Sequence, residues 1–449
     1  MVFNRQKRGK NKCLILGLVI LSLCVMSVVP GIAKNVTLRA LFHKGHSPLP
    51  ELYTIIPKYE EMNPGVKIVI DEVPYDQKRE KMLLDFVSGT QEYQLLELLT
   101  DWIPELVKGG FVEPLQDYIR DDPPEDWPNT WPERLMELQT IGENIYGLPL
   151  HDGPIMFVYR KDLFEDPANK ANFMSQYGYE LEPPETWDQF LDMTRFFNKP
   201  SEGFWGTVLN AKQGGQQLAY DVILLVNSFG GKMFDDNWKP VFNSQEGIDG
   251  VQFYVDLYRK YKVTPPASTT YDVRETTDFY LQGKAAMAWN WTHVAMWGDL
   301  PEKSKIVGKA GSGLIPVLKA GMPPVTFGVY WVWSIPKQGQ NKDEAYKFIK
   351  WSLNRENDKL GAFKGTVACR WSTYTDPEVL AKMPAYATIT ELLKGKLVSP
   401  PRIPEYAEID DLLSLAASQA LVGEKTVKEA LDEAARKVEK IMREAGYYK

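Results

Sequence analysis

The chain is poor in cysteine and histidine, with 3 and 4 among its 449 residues. A disulfide scaffold or a structural zinc module needs clusters of these residues, so both are excluded as organising principles. Positive charge is not in excess either. The 52 Lys and Arg stand against 59 Asp and Glu, a net charge of −7, and no basic stripe occurs. Phosphate binding draws on Lys and Arg, so no nucleic-acid partner is expected. A Walker-type GxxxxGK[ST] segment and a dinucleotide fingerprint are both missing, and Gly214-Gly215 reads as a turn, so no cofactor is expected. Only one long apolar run occurs, and it lies at the N-terminus. The chain beyond it is expected to be soluble.

What is present is an ordinary globular composition, 44% hydrophobic and 25% charged. At roughly 100–200 residues per domain, two or three domains fit. The abundant residues are aromatic: 13 Trp and 22 Tyr. Such a supply serves either a large core or flat apolar surfaces offered to a ligand.

The first 33 residues read as a targeting segment. Arg5, Lys7, Arg8, Lys10 and Lys12 precede an almost wholly apolar run from Cys13 to Val29. Pro30 and Gly31-Ile32-Ala33 then give a helix break and small residues suited to cleavage after Ala33. The alternative is an uncleaved anchor, for which the run is near the lower length limit. Removal leaves 47 basic and 59 acidic residues and a single cysteine, Cys369.

Beyond the leader, strands alternate with helices. Val36–Phe42 and Val66–Val73 alternate as half-buried strands do. Between them Leu52, Ile55, Ile56, Tyr59 and Met62 recur at helical spacing, ended by Asn63-Pro64-Gly65. A helix with Leu83, Phe86 and Val87 inward, a strand over Tyr93–Thr100 and a short helix over Trp102–Lys108 follow. Thr186, Asn243-Ser244, Asn341 with Glu344, and Thr426 with Glu429 supply caps for later helices. This alternation predicts an α/β layer architecture.

Six segments, in order, resemble the family 1 extracellular solute-binding proteins of ABC importers, chiefly carbohydrate binders. They are Gly109–Ile119 (GGFVEPLQDYI), Ile145–Asp166 (IYGLPLHDGPIMFVYRKDLFED), Pro183–Leu191 (PPETWDQFL), Phe279–Trp289 (FYLQGKAAMAW), Phe327–Pro336 (FGVYWVWSIP) and Cys369–Val379 (CRWSTYTDPEV). The resemblance implies a two-lobed α/β fold of the type II periplasmic-binding-protein kind. Each lobe is then a mixed sheet flanked by helices, with a ligand cleft at the hinge. It implies lobe 1 over residues 35–149 plus 289–334 and lobe 2 over 150–288 plus 335–449. It also implies a monomer, a permease as partner and a periplasmic or extracellular location.

Candidate ligand contacts follow, each with a plainer alternative. Asp101 and Trp102 end a strand, where open α/β sheets bind ligands; a helix cap and a core residue are the alternatives. His43 and His46 sit in the loop after the first strand, where the resembled family faces its cleft. Without further Cys or His nearby in sequence, hydroxyl binding or a solvated loop is favoured over a metal. His151 and Asp152 follow Gly147-Leu148-Pro149, where the resembled family crosses between lobes. Trp289, Asn290 and Trp291 form the densest aromatic-polar cluster, although strand alternation puts the two Trp on one face and Asn290 on the other. Tyr330 and Trp331 carry the same division. Trp205 follows a turn, and Arg370 either clamps a hydroxyl pair or braces Asp376. These residues are short of Lys and Arg, which favours a neutral sugar, small oligosaccharide or polyol. The rival class is a secreted glycoside hydrolase or lyase, which requires a carboxylate pair about 5–9 Å apart; Asp101 and Asp152 are its only candidates.

Overall fold

The computed structural model describes residues 35–151 and 153–448. The segment over residues 1–33 that is expected to direct export, and Asp152, lie outside the described residues. In chain order the first lobe opens with β1 (Val36–His43), α1 (Leu49–Met62), β2 (Val66–Val73), α2 (Tyr75–Ser88) and β3 (Leu95–Leu99). After short helices, β4 (Leu148–His151) leads across to β5 (Ile155–Arg160). Next come α3 (Trp187–Phe197), α4 (Gln216–Ser228), α5 (Gln245–Arg259), α6 (Val273–Leu281), β6 (Met287–Trp291) and β7 (Ala310–Gly313). The chain returns through β8 (Trp331–Ser334) to α7 (Lys342–Ser352) and ends on α8 (Tyr406–Val422) and α9 (Val427–Glu444).

Two sheets organise these elements. The first has the order β2-β1-β3-β8-β4, with β1 parallel to both neighbours and β8 antiparallel to β3 and β4. The second is β6-β5-β7, antiparallel throughout. Each is covered by helices, as sheets with apolar faces require. Leu52 and Ile55 of α1 are fully buried against the first sheet, each worth about 1.5–3 kcal/mol of burial. On the second lobe, Trp187 and Phe190 of α3 meet Trp289 of β6 in one aromatic core. The fold is a two-lobed α/β architecture.

Local signals are realised closely in most elements. Thr186 with Gln189 and Thr426 with Glu429 form complete capping boxes, and Ser244 accepts from Gly247 N. Asn341 instead takes a left-handed backbone, φ 54°. The buried face of α2 also differs from the expected one. It carries Lys78, Met82, Asp85 and Phe86, and Val87 is 77% exposed.

Strand pairing and helix packing distribute residues 289–449 over the two sheets. Trp289–Trp291 and Ala310–Gly313 pair with β5 in the second sheet, so of residues 289–334 only β8 joins the first. Conversely, α7 packs on the first lobe, where Phe348 and Trp351 meet Tyr59 of α1 at 5.1 and 5.0 Å between centroids. The second lobe regains the chain at α8, whose strongest packing is with α9 and α4. Strand pairing between distant segments, which no local pattern encodes, decides this assignment. No helix among the described residues is long and apolar enough to cross a membrane.

Candidate ligand cleft

β3 ends at Leu99, and a single 3-10 turn carries Thr100, Asp101 and Trp102 onto the rim of the first sheet. Next to it, β8 begins at Trp331, in register with Leu99. Two backbone contacts lock the rim: Tyr330 N donates to Thr100 Oγ1 at 3.0 Å, and Thr100 N donates to Tyr330 O at 2.9 Å. Trp102 and Trp331 therefore stand side by side, edge to face at 5.8 Å, both half-buried. His43, at the end of β1, lies 4.9 Å from Trp331, and Tyr75 lies 5.3 Å from His43.

The second lobe answers with α4, β6 and α8. Tyr220 donates to Asp101 Oδ2 across the lobes at 2.5 Å. Its ring leans on Phe327 at 4.6 Å and on Trp291 at 6.0 Å. Trp291 donates through Nε1 to Gln217 Oε1 at 2.6 Å. On the first turn of α8, Tyr406 donates to Asp410 Oδ1 at 2.8 Å. Trp102 and Trp331, though carried by the first lobe, pack against the core of the second. Lys108 and Glu405 add an ion pair of 2.8 Å between the lobes.

Tyr75 stands beside this wall, 38% exposed, with its ring 6.3 Å from that of Trp331. Burial raises the Asp410 carboxyl to about 8, with Asp101, Asp411 and Asp272 adding repulsion and Tyr406 opposing it. The facing walls thus combine aromatic faces with carboxylate acceptors, the pairing suited to C–H faces and hydroxyl donors.

Behind the first wall lies a polar cluster. Glu97, in the middle of β3, meets Lys78 of α2 through Oε2 and His46 Nδ1 through Oε1, with His43 Nδ1 3.7 Å from Oε2. Burial alone would raise the Glu97 carboxyl, but His46 and Lys78 outweigh it and hold it well below its ordinary value. Burial lowers the pKa of both His43 and His46, with Glu97 pulling the other way. Burial likewise brings Lys78 down to about 8, against the opposing pull of Glu97. The donor atoms of His43, His46 and Glu97 lie within 4.8 Å of one another. Lys78, however, already supplies the cation that Glu97 requires.

Several expected contacts lie elsewhere. His151 is buried behind the wall, where its Nδ1 accepts from Val367 N at 3.2 Å and burial brings its pKa down to about 4. Trp289 is 2% exposed and belongs to the aromatic core, its Nε1 bound to Asp221 Oδ1 at 3.2 Å. Asn290 points to the opposite face, 1% exposed, and donates to Thr276 Oγ1 at 3.0 Å. Tyr330 is turned away from Trp331 into the core, with its hydroxyl towards Gly328, where an added Cβ would stand 3.0 Å from it. Trp205 pairs with Ala285, six positions ahead of Trp291 along one segment. At roughly 3.3 Å per residue that is the far end of the strand from the cleft. Arg370 is 1% exposed and donates to Leu353 O and Glu125 O, both at 2.7 Å, and to Asp126 at 2.9 Å. It braces the Pro-rich loop, and Asp376 pairs with Lys359 instead. The carbonyl of Leu353 serves one terminal nitrogen of the guanidinium, and Glu125 and Asp126 serve the other.

Sequence reasoning did not single out Tyr75, Lys78, Glu97, Gln217, Tyr220, Tyr406 or Asp410. One signal was available: Glu97 interrupts the apolar run Leu95–Leu99, and a carboxylate inside a buried strand demands a partner.

Comparison with known proteins places the chain in a family. The model of the bacterial extracellular solute-binding protein family matches residues 46–359. A mannitol-binding protein of Pseudomonas aeruginosa is 26% identical over 421 residues, covering 87% of this chain and 90% of that protein. A solute-binding protein of Agrobacterium radiobacter solved with ribitol superposes with a TM-score of 0.80 at 26% identity, over 91% of this chain and 99% of its own. One from Agrobacterium vitis with bound D-mannitol gives 0.78 at 25%, over 92% and 100%. On the strength of the family match and these shared lengths, the chain belongs to the bacterial extracellular solute-binding proteins.

Proposed function

We propose that the protein is exported, captures a neutral carbohydrate between its lobes and delivers it to the permease of an ABC importer. The ligand class is a sugar, small oligosaccharide or polyol. Supporting this reading, relatives across most of the chain bind mannitol, ribitol and maltotriose. The carrying observation is the joint wall itself: Trp102, Trp331 and Asp101 from one lobe meet Tyr220 and Trp291 from the other. Aromatic faces cover C–H groups, carboxylate and amide oxygens accept from hydroxyls, and closing the hinge removes both from water. The ligand leaves as it entered, so the protein is not an enzyme. Export through the basic and apolar leader, with cleavage after Ala33, places it outside the cytoplasmic membrane.

A thermal-shift screen over sugars, polyols, amino acids and phosphates tests the ligand class, because a ligand that binds only the folded form raises the melting temperature. A neutral polyol or oligosaccharide should stand out, and chromatography should return it unchanged. Stabilisation only by a charged solute refutes the ligand class, and recovery of cleaved products refutes binding without chemistry.

A further inference from the structure

Lys78 is the most unexpected residue in the first lobe. It lies on the inner face of α2, 0% exposed, where a Leu or Met would fill the same space without the cost of desolvating an ammonium. Its partner Glu97 is also buried, at 1%. A buried ion pair is a weak source of stability compared with apolar groups of the same volume. What an apolar residue cannot reproduce is where the charge sits. Nζ stands 4.1 Å from the centroid of the Trp331 indole, and at 5.7 and 5.9 Å from the rings of Trp102 and Phe42. The cation is therefore aimed at the ring that walls the cleft.

Trp331 is in turn the hub of that wall. His43 and His46 each approach it at 4.9 Å, Trp102 at 5.8 Å and Tyr75 at 6.3 Å. His46 is held by the same Glu97 that holds Lys78. One carboxylate thus fixes two groups that grip the indole from behind, leaving its half-exposed remainder to the cleft.

We infer that Lys78 is a positioning residue for ligand capture: paired with Glu97, it locks the Trp331 indole into a preset stacking face. A wall set before the ligand arrives spares the ordering that a free indole would require on binding. The inference rests on the cleft reading above for its consequence in affinity, but the ordering of the indole is independent of any ligand.

The test uses the mature chain in three forms: wild type, Lys78→Met, and the double variant Lys78→Met/Glu97→Gln. The double variant removes both charges together, so no unpaired buried charge remains to unfold the protein. D-mannitol and ribitol are the calorimetric probes, the near-ultraviolet circular dichroism of the indoles reports ring order, and thermal melting reports stability. The double variant should melt close to wild type, lose part of its indole signal and bind the polyols at least about tenfold more weakly. Wild-type indole spectra and wild-type affinity in a folded double variant overturn the inference. If wild type binds neither polyol, these two ligands are excluded and the carbohydrate reading is left to the thermal-shift screen. The indole spectra then decide on Lys78 alone: loss of signal supports the positioning role, and an unchanged signal overturns it.

Discussion

Removing one oxygen, by Tyr220→Phe, should shift the balance between open and closed lobes. The hydroxyl donates to Asp101 Oδ2 at 2.5 Å, and the two residues belong to different lobes. The bond therefore exists only when the cleft is closed, and its loss destabilises that state alone. Burial, then repulsion from Asp101, raises the phenol pKa well above its ordinary value, so the group remains a donor throughout the physiological range. A hydrogen bond to a charged acceptor contributes roughly 1.5–3 kcal/mol. The phenylalanine keeps the ring contacts with Phe327 and Trp291, which confines the change to the hydroxyl. The closed fraction of the free protein should then fall about 10- to 100-fold relative to the open form. Because only the closed form binds fully, apparent affinity falls by the same factor once the closed fraction is minor. Small-angle scattering without ligand should show a larger radius of gyration for the variant, and calorimetry should show the matching rise in Kd. An unchanged radius together with an unchanged Kd refutes the assignment of this bond to closure.

Other consequences can be measured separately. Trp331→Ala should weaken ligand binding with a modest change in melting. Trp289→Ala should cost roughly 3–5 kcal/mol in urea denaturation and leave the affinity of the folded fraction unchanged; the reverse pattern refutes the division between wall and core. Arg370→Met should lower stability by about 3 kcal/mol through the Glu125–Asp126 loop, and a changed Kd at equal stability would place Arg370 in the site after all. Burial raises Asp410 to about 8, with Asp101 of the other lobe adding repulsion, and if closure supplies that burial, Asp410 should take up a proton on closing. Its contribution to closure is therefore fully present below about pH 4 and fades as pH rises towards 8. Scattering of the free protein at pH 5 and pH 8 should show the more compact form at pH 5. Asp410→Asn should flatten that difference, leaving the repulsion among Asp101, Asp272 and Asp411. An equally steep response in Asp410→Asn refutes the role of this carboxyl.

The secondary structure was largely legible because its signals are local. Val66–Val73 forms the strand that its alternation predicts, and the caps at Thr186 and Thr426 stand within three residues of their partners. The site was legible only in part. Asp101 and Trp102 were read at a strand end and Trp291 and Trp331 within aromatic strand segments, and the structure sets all four along the walls around the Asp101–Tyr220 contact. Trp289 and Tyr330 sit one or two positions away on the same strands and point into core. Alternation along a strand separates the two faces of Tyr330 and Trp331 without stating which is the wet one. For Trp289 and Trp291, which share a face, it is depth within the lobe that separates core from cleft.

The sequence by itself determined an α/β alternation, an apolar N-terminal run, an acidic balance and an aromatic surplus. The amphipathic periods and caps that encode these act over a few residues. The tertiary structure decided the partners. Asp101 meets Tyr220 across 119 positions and Thr100 meets Tyr330 across 230. It also brought Lys78 under Trp331, from 253 positions away (331 − 78). Such pairs depend on how whole sheets and helices pack, which is a property of the closed fold and of no single segment.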